Sequence, residues 1–549
     1  MGQSPLFNEI TRALRIARLC EDHGISTAEG LDRVRRAEVE LAAKRHRRRE
    51  WLKTVARTGA LGAAAYVTTP VRRALAGPQR TPPLDVGIVG AGIAGLACAD
   101  VLAASGTVAA LYDANTRTGG RCRSLRGFFP GQVAELGGEL IDNLHKTMLH
   151  YARRFDLALE DVAKAPGEVF YYFGGRHVPE AAVVDEFREF VAAMHIDLRR
   201  LSGEVTALSH TAADEELDRT SLLAYLEGQN GATLAAGPIA KAAISEAYVA
   251  EYGLEPDEQS CLNLLFFIHA DRRSKFTPFG VFSDERYHVL DGNDRIVDGL
   301  TQGLPRPVEY GMTLVAARRT SAGAVELTFE TPGGGVLSRR HDAVVLAIPF
   351  TTLRNVELAA NLDLPSEKRA AIARLGYGTN AKMMVGFERR PWIAQGSNGS
   401  SYSDLVNHQT TWETNPGRAS ATRAVITDYS GGDRGRSLDP DGVQLEANRF
   451  LTDLDLVFPG ARAAARRIRG SVVAHLEHWP SNPLTLGSYT CYLPGQFTTI
   501  AGLESLPAAN LYFAGEHANS FYEFQGFMEG AALSGIDVAA AILKAAALR

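Results

Sequence analysis

Cysteine and net charge are the two things this sequence has little of. Five cysteines in 549 residues form no CxxC pair, which excludes a disulfide scaffold. The 58 Lys and Arg nearly balance 63 Asp and Glu, leaving a net charge of −5 that excludes a protein built to coat nucleic acid. Apolar (45%) and charged (22%) fractions are ordinary, which excludes wholesale disorder and fibrous repeats. What remains is a large soluble α/β protein of several domains.

Residues 1–83 are predicted to be an N-terminal helical segment with an export signal and a linker, outside the main fold. Residues 32–53 contain nine Lys or Arg against four Asp or Glu, and Arg48-Arg49-Glu50-Trp51-Leu52-Lys53 is typical of a twin-arginine signal. The uncharged stretch 58–71 has 14 residues, short of the ~20 that span a bilayer, so no stable membrane insertion is expected. With the cleavage candidate Ala74-Leu75-Ala76, these elements predict a periplasmic or secreted protein. The alternative is a basic, solvated helix face followed by a linker.

A dinucleotide-binding motif follows. A short apolar strand over residues 85–90 runs into Gly90-Ala91-Gly92-Ile93-Ala94-Gly95, and a helix is predicted to about Ala104. Such glycines allow a tight turn, close approach of the backbone to pyrophosphate and close helix–strand packing, with the phosphates on the helix N-terminus. A second strand, over residues 108–112, ends at Asp113, 21 residues after Gly92, where a carboxylate can accept from ribose hydroxyls.

Further motifs decide between NAD and FAD. The Gly-rich turn Gly119-Gly120-Arg121 ends in a guanidinium that can meet pyrophosphate charge. Residues 510–516 predict a strand that closes on Glu516, whose carboxylate suits a ribityl hydroxyl. Gly526-Phe527-Met528-Glu529-Gly530 then opens a long Ala-rich helix whose first amides can stabilise negative charge on a reduced flavin. A nicotinamide enzyme needs neither C-terminal feature, so the predicted cofactor is FAD.

From about Leu84 to the C-terminus the chain resembles the flavin-dependent amine oxidases, which include monoamine, polyamine and L-amino-acid oxidases. The N-terminal half alone would also fit carotene desaturases, so the resemblance depends on the full set of motifs in order. They are Gly90–Gly95, Gly119-Gly120-Arg121, Glu135-Leu136-Gly137-Gly138, Asp291-Gly292-Asn293-Asp294, Ala347-Ile348-Pro349 and Phe513-Ala514-Gly515-Glu516.

The resemblance implies an α/β fold: an FAD-binding Rossmann-like domain of the amine oxidase type with a mixed-sheet substrate domain and a helical insertion. The FAD domain is predicted to be discontinuous, over 84–145, 287–349 and 497–549. The substrate domain with its helical lid takes 146–286 and 350–496. The cofactor contacts that the motifs and the resemblance imply are Gly90, Gly92, Ile93, Ala94, Gly95, Asp113, Ala114, Gly120, Arg121, Gly137, Gly138, Glu139, Leu140, Leu314, Glu516, Gly526, Phe527, Met528 and Glu529.

The resemblance also implies hydride removal from the carbon that bears the amine, with oxygen reoxidising the flavin to release H2O2. Lys382 matches the family lysine that holds a water beside flavin N5 and is predicted to be the catalytic residue. The apolar residues Met383-Met384-Val385 that follow predict that Lys382 points inward. No metal site is predicted.

Aromatic residues of the C-terminal third match the substrate side of the family. Tyr489 and Phe527 fall where two rings flank the substrate amine, and Gly526 and Trp479 are expected beside them. Ser488 stands where monoamine oxidases carry the cysteine that bonds to flavin. Serine cannot form that thioether, so FAD is predicted to be noncovalent.

The substrate class depends on three positions. Tyr429 matches the tyrosine of L-amino-acid oxidases that binds the substrate carboxylate, but the companion arginine would fall at Leu140. Asp142 lies where polyamine oxidases place an acid for a distal ammonium. Together with Ser488 and export, Tyr429 favours an L-amino-acid oxidase whose imino acid product hydrolyses to a keto acid and ammonia; the alternative is a primary-amine or polyamine oxidase.

Two other classes fit the sequence less well. A flavin dehydrogenase or desaturase need not keep Lys382 or the aromatic pair, and a noncatalytic flavin-binding protein would lose both. The expected partners are a small amino acid or amine and O2, with no nucleic acid. Family members are often dimers, so a homodimer is expected.

Overall fold

The structure is a computed structural model, and it describes residues 7–37, 84–269, 285–418 and 423–548. The twin-arginine motif, the uncharged stretch and the cleavage candidate all fall within residues 38–83, outside the described ranges. Export therefore stays a prediction.

Helices and strands are numbered here in chain order. The helices are α1 (Phe7–His23), α2 (described over 27–37), α3 (Ile93–Ala104), α4 (Lys146–Arg154), α5 (Glu180–Arg200), α6 (Ala212–Asp218), α7 (Leu222–Leu226), α8 (Pro238–Tyr252), α9 (Leu262–His269), α10 (Asp294–Gln302), α11 (Phe350–Leu353), α12 (Ser366–Arg374), α13 (Pro391–Ala394), α14 (Gly432–Ser437), α15 (Val443–Val457), α16 (Ala461–Ala464), α17 (Gln496–Thr499) and α18 (Met528–Ala547). The strands are β1 (Val86–Val89), β2 (Ala110–Asp113), β3 (Ser124–Arg126), β4 (Val133–Glu135), β5 (Leu159–Asp161), β6 (Glu168–Phe173), β7 (Arg176–Val178), β8 (Tyr287–Val289), β9 (Glu309–Tyr310), β10 (Thr313–Arg319), β11 (Val325–Glu330), β12 (Val336–His341), β13 (Ala343–Leu346), β14 (Glu357–Leu358), β15 (Ala381–Phe387), β16 (Ser397–Leu405), β17 (His408–Glu413), β18 (Ala424–Ser430), β19 (Arg467–Ile468), β20 (Ser471–Val472), β21 (Ala474–His478) and β22 (Leu511–Phe513).

A parallel five-stranded sheet forms the first layer, in the order β22-β13-β1-β2-β9. All residues of β1 and β13 are buried, as expected for central strands of a parallel sheet covered on both faces. The three segments assigned to the FAD domain from the sequence supply all five strands. The predicted strand over 108–112 is β2, which begins at Ala110 because Val108 is 52% exposed.

Helices α3 and α18 pack against each other on this sheet. A Cβ at Gly535 would lie 2.1 Å from the carbonyl oxygen of Ala94, so the contact between the two helices depends on glycine. Among the described helices, α18 is the one long and apolar enough to cross a membrane. Its face of Ala532, Val538 and Ile542 is buried in the same hydrophobic cluster as β1, so in this structure it serves as a core helix.

The second layer is a seven-stranded mixed sheet, in the order β21-β15-β18-β17-β16-β6-β7. Its strands are antiparallel except for the β16–β6 pair. A smaller sheet of β12-β11-β10-β14 joins the two layers. Helices α5 to α9 form the insertion, and the longest of them is α5, from Glu180 to Arg200. The predicted fold class is confirmed: an α/β fold with a parallel dinucleotide-type sheet, a mixed-sheet domain and a helical insertion.

The N-terminal residues are packed into this architecture. Helix α1, which falls within the N-terminal segment predicted to be helical, runs from Phe7 to His23 and lies on α5. Helix α2 returns along it. The sequence interpretation placed these residues outside the main fold, whereas their apolar side chains belong to the largest hydrophobic cluster of the described chain.

Candidate active site

A long cavity of about 350 Å³ opens at the carboxyl ends of β1 and β2, the place where open α/β sheets bind ligands. Twelve residues predicted as cofactor contacts line it. They are Gly90, Gly92, Ile93, Ala94, Asp113, Ala114, Gly120, Arg121, Leu314, Glu516, Phe527 and Met528. Trp479, predicted for the substrate side, also lines this cavity and donates its indole N–H to the Leu136 carbonyl at 2.9 Å.

The glycine loop at the start of α3 shows two different uses of glycine. A Cβ at Gly95 would lie 1.9 Å from the carbonyl oxygen of Gly90, so that position is closed to any side chain by the protein itself. A Cβ at Gly92 would meet nothing within 4 Å, because Gly92 faces the cavity. Helix α3 has no side-chain N-cap, which leaves its first amides for a ligand. This loop is a cradle for pyrophosphate.

Asp113 ends β2 at the wall of the cavity. Its carboxylate accepts hydrogen bonds from the amides of Ala91 at 2.6 Å and Asn115 at 2.7 Å. A carboxylate can accept about four hydrogen bonds, so capacity for ribose hydroxyls remains. Burial raises the pKa of Asp113 although the two amide bonds oppose that shift. The carboxylate thus both fixes the glycine loop and faces the ligand space.

Glu516 and Arg121 form a buried ion pair at the other end of the cavity. Arg121 Nη1 lies 2.9 Å from Glu516 Oε1, and Thr490 donates its hydroxyl to Glu516 Oε2 at 3.0 Å. Burial would raise the pKa of Glu516, but the charges of Arg121 and His517 and the hydrogen bond from Arg121 together outweigh it and hold the pKa below its usual value. Arg121 also donates to the Ser488 carbonyl, so its guanidinium serves the ribityl end of the cavity; its predicted contact with pyrophosphate stays a prediction.

Seven predicted cofactor contacts do not line the cavity. Glu529 directs its carboxylate to the amides of Thr147 and Met148 at 2.8 Å and caps α4, so its predicted cofactor contact would have to come from its backbone and stays a prediction. Gly137 lies behind the wall, where a Cβ would be 1.7 Å from the Arg121 carbonyl oxygen. The others, also outside the lining, are Gly95, Gly138, Glu139, Leu140 and Gly526.

Lys382 points inward, as the sequence predicted, and is 3% exposed. Its ammonium donates to the carbonyls of Glu135 at 3.1 Å and Gly137 at 2.9 Å and to Glu139 Oε2 at 2.6 Å. An ammonium has three N–H donors, so all three are used. The predicted water beside flavin N5 would therefore have to exchange with one of these partners.

Sheet register brings the side chains around Lys382 together. Lys382 is paired with Tyr429 across β15 and β18, and Tyr429 with Thr410 across β18 and β17. Trp412 lies two residues further along β17 and so on the same face. Its indole N–H donates to Glu139 Oε1 at 2.8 Å. Sequence reasoning missed Trp412, because no local motif marks it.

A second, small cavity of about 30 Å³ lies beside the large one. Tyr489, Gly526 and Phe527 line it, and Phe527 also lines the large cavity, so the two cavities meet at this residue. The hydroxyls of Tyr429 and Tyr489 are 3.1 Å apart, and Tyr489 also donates to the Glu251 carbonyl. The four predicted substrate residues around this point are therefore brought to one place.

Position 140 does not supply a cationic partner for a substrate carboxylate, because it is a leucine. Leu140 is buried, and among the described residues no arginine lines the small cavity. Asp142 is also buried and accepts from the Leu144 amide at 2.9 Å in the turn before α4. No group of three or more His, Cys, Asp or Glu able to hold a metal ion occurs in the described ranges.

The fold and site define a flavoprotein oxidase of the amine oxidase type. In structure, the chain is similar to cyclohexylamine oxidase from Brevibacterium oxydans IH-35A, with a TM-score of 0.71 and 20% identity over 84% of this chain and 99% of that one. It is also similar to wild-type putrescine oxidase bound to putrescine, with a TM-score of 0.67 and 18% identity over the same shares. At these identities the likeness shows the fold.

Curated relatives point to the other branch of the same family. An L-amino-acid oxidase of Pseudechis australis is 22% identical over 84% of this chain and 87% of its own length. One from Vipera ammodytes ammodytes is 21% identical over 83% and 92%. The sequence pattern of the flavin-containing amine oxidoreductases matches residues 93–543, and the chain belongs to that family.

Family membership implies a flavin, and the residues present fit FAD. The open face of Gly92 would leave room for pyrophosphate at the start of α3, Asp113 keeps the capacity to accept hydrogen bonds at the cavity wall, and Glu516 pairs with Arg121. Among the described residues, the cationic side chains that line the large cavity are Arg117 and Arg121, and no lysine lines it. The large cavity is therefore assigned to FAD.

Proposed function

We propose that this chain is an FAD-dependent oxidase of L-amino acids that releases H2O2 and an imino acid, which hydrolyses to a keto acid and ammonia. The observation that carries the proposal is the pair of buried hydroxyls of Tyr429 and Tyr489, 3.1 Å apart beside the FAD cavity. Tyr429 is the residue that resembles the carboxylate-binding tyrosine of L-amino-acid oxidases. The curated relatives that match most of the chain carry the same activity in their names.

The chain's own residues bind and orient the substrate. When bound, FAD supplies a hydride acceptor that O2 can reoxidise. Phe527 and Tyr489 present ring faces on either side of the amine and exclude water from it. On substrate binding, the Tyr429 hydroxyl turns its one hydrogen from Tyr489 to a carboxylate oxygen, and that bond is strengthened in a buried, low-dielectric site. The amine enters neutral, so no side-chain base is required.

Lys382 contributes through its fixed charge. Its ammonium is held by Glu139 and two carbonyls on the inner face of β15, on the side of Tyr429. A water that displaces one carbonyl would be oriented by the same ammonium for the imine or for the oxygen step. Glu139 keeps that ammonium in place, because its other oxygen is held by Trp412.

A second candidate is an oxidase of primary amines or diamines. The observation that favours it is Leu140 at the arginine position, with no arginine lining the small cavity among the described residues. A carboxylate bound there without a cation would pay a desolvation penalty that one tyrosine only partly offsets. An amine substrate lacks that group.

Matched substrate pairs test the two candidates. L-phenylalanine and 2-phenylethylamine differ only in the carboxylate, and L-leucine and 3-methylbutylamine form a second such pair. We expect H2O2 from the L-amino acids and at least tenfold lower kcat/KM for the amines, with D-amino acids inactive as the stereochemical control. Faster oxidation of both amines would reject the first proposal and establish the second.

We propose that FAD is held noncovalently, because Ser488 cannot form the thioether of monoamine oxidases. Its hydroxyl is instead hydrogen-bonded to Asn380 at 2.5 Å. Acid precipitation of the purified protein should leave all yellow colour in the supernatant. Flavin in the pellet would point to Cys122, the cysteine that lines the large cavity.

We also propose that the enzyme is an exported homodimer. Export is inferred from the twin-arginine motif, and the homodimer from the frequency of dimers in the family. Light scattering of the purified protein should give twice the chain mass of 59.2 kDa. Fractionation of the producing cells should place oxidase activity outside the cytoplasm, and replacement of Arg48 and Arg49 by Lys should retain it inside.

A further inference from the structure

The N-terminal helices are built like an internal part of the enzyme rather than like a detachable leader. Helix α1 buries one continuous face, whose residues are all fully inaccessible to solvent. They are Ile10, Ala13, Leu14, Ile16, Ala17 and Cys20. Spacings of three and four residues place them on one side of a helix, while Arg15 between them is exposed.

Helices α1 and α2 form a tight hairpin before they meet the rest of the chain. Gly24 turns the backbone with a φ of +59°, a conformation that favours glycine. Gly30 of α2 fits directly over α1, because a Cβ there would lie 2.4 Å from Cys20 Sγ. The two helices are therefore packed as closely as helices in a protein core. A leader that is removed after export does not need such packing.

Paired polar groups fix the hairpin on α5. Arg12 pairs with Glu180, Arg188 Nε lies 2.5 Å from Glu21 Oε1, and Thr27 bonds to Asp185. These contacts follow α5 over about two turns and join both ends of α1 to it. Ile10 and Ile16 belong to the same hydrophobic cluster as Phe187 and Val191 of α5. Without the hairpin, an apolar face of α5 would be open to water.

The position of the hairpin in the chain makes this arrangement unusual for an export signal. Residues 38–83, with Arg48-Arg49 and the cleavage candidate Ala74-Leu75-Ala76, connect the hairpin to the first strand of the FAD domain. Cleavage after Ala76 would break the covalent connection between the hairpin and the FAD domain. It would break none of the contacts between the hairpin and α5. The hairpin also lies outside the family match, which begins at residue 93.

We propose that residues 7–37 are a permanent element of the folded enzyme and stay bound to α5 when the 38–83 connection is cut. A leader processed at Ala76 would then yield a two-chain enzyme in which the N-terminal fragment remains on the helical insertion. In this proposal, α5 binds a segment of its own chain, the α1–α2 hairpin. It recognises the apolar residues of α1 and the flanking charges of Arg12 and Glu21.

The test is a specific cut in the connection. A protease recognition sequence inserted between Ala76 and Pro83 is cleaved to completion in the purified, yellow holoenzyme, and the product is separated by gel filtration without denaturant. We expect the N-terminal fragment to coelute with the enzyme and the melting temperature to change by less than about 2 °C. Elution of the fragment apart from an enzyme that stays folded and yellow would overturn the proposal.

A matched pair of variants shows that the buried stripe is responsible. Ile16→Asp places a charge in the interface, and after cutting we expect its fragment to elute separately. Arg15→Asp adds the same carboxylate one residue away on the exposed side, and its fragment should remain bound. Retention of both fragments would mean that another part of residues 1–76 holds the segment, and the assignment to the α1 stripe would be wrong.

Discussion

The large cavity assigned to FAD and the small cavity on the substrate side both have Phe527 in their walls, but the two sides of the site are built in different ways. The cavity is formed largely by backbone of contiguous motifs, with Gly90, Gly92 and Gly120 at its wall. The substrate side depends on side chains that come from distant strands, such as Lys382 and Tyr429, which are paired across β15 and β18. Cofactor binding is therefore encoded in local glycine spacing, whereas substrate binding depends on which strands pair and in which register.

The two regions also differ in how their charges are balanced. Glu516 has one cationic partner, Arg121, and keeps its carboxylate beside the ligand space. Lys382 and Glu139 are both buried and directed at each other, so the pocket gains no net charge from them. Among the described residues, the small cavity is lined by aromatic rings together with Glu251 and Glu523 and by no Lys or Arg, so an amino acid carboxylate bound there would have to rely on the Tyr429 hydroxyl.

The largest expected effect comes from the glycine loop. Gly95→Ala would place a methyl 1.9 Å from the Gly90 carbonyl oxygen, which is backbone and cannot give way cheaply. We expect the free energy of unfolding to fall by about 3 kcal/mol or more, with loss of bound FAD. Chemical denaturation of the apoprotein and the flavin-to-protein absorbance ratio measure both.

Gly92→Ala is the matched control on the same loop. Its methyl meets no protein atom within 4 Å, and its φ of −71° suits alanine. The apoprotein should keep its stability within about 1 kcal/mol while FAD binds at least about tenfold more weakly, since the methyl occupies the phosphate space. Equal loss of stability in both variants would refute the division between packing and ligand approach.

Removal of the lysine comes next. Lys382→Met should retain yellow protein but lower turnover by about 100-fold. It also leaves the buried Glu139 carboxylate without its cation, which costs about 3–5 kcal/mol of stability. Turnover in air-saturated buffer and thermal unfolding of the same preparation separate the two effects.

The double variant Lys382→Met with Glu139→Gln is the control for folding. It removes the unpaired charge, so stability should recover most of the loss while turnover stays low. Unchanged turnover in either variant would remove Lys382 from the mechanism. Recovery of turnover together with stability would show that the lysine is only structural.

Most of the fold and the cofactor side could be predicted from the sequence. The strand, glycine loop and helix at Gly90–Gly95 are contiguous, so their chemistry is visible in one stretch of chain. The inward direction of Lys382 also follows from its apolar neighbours on β15. Such predictions need only local geometry and the alternation of side chains along a strand.

The rest depended on long-range pairing. Glu139 and Lys382 are 243 residues apart, and nothing in either segment marks the other as its partner. Trp412 reaches Glu139 only because β17 pairs with β18 in the observed register. The Glu529 side chain shows the same limit, since its carboxylate caps α4, a helix from another part of the chain that its own motif does not indicate.

Glu516→Gln should have a moderate effect on the cofactor side. The variant loses the charged acceptor for a ribityl hydroxyl, worth about 1.5–3 kcal/mol, so FAD should bind roughly 10- to 100-fold more weakly. Flavin content after gel filtration and titration of the apoprotein with FAD measure the loss. Full flavin retention would contradict the ribityl assignment.

The pH dependence of Glu516 sharpens the same test. Arg121 holds the folded pKa of Glu516 below its ordinary value of 4.5, so the carboxylate contributes stability that is present above pH 4.5 and is lost as the pH falls through the folded pKa. The stability difference between wild type and Glu516→Gln should be constant from pH 7 to 5 and shrink below pH 4.5. A difference that grows on acidification would give the opposite sign and rule out a depressed pKa.

The smallest expected effect is the one that decides the substrate. Tyr429→Phe removes one hydroxyl from the buried pair with Tyr489 and leaves the ring in place. If that hydroxyl binds the carboxylate, KM for L-phenylalanine should rise about tenfold, the equivalent of roughly 1.4 kcal/mol, with kcat little changed, because the lost bond is the same in the ground and transition states. 2-Phenylethylamine, which lacks the carboxylate, should show no such rise. A parallel rise for both substrates would mean that Tyr429 only holds Tyr489 in place, and the pocket would then be selective for the amine group alone.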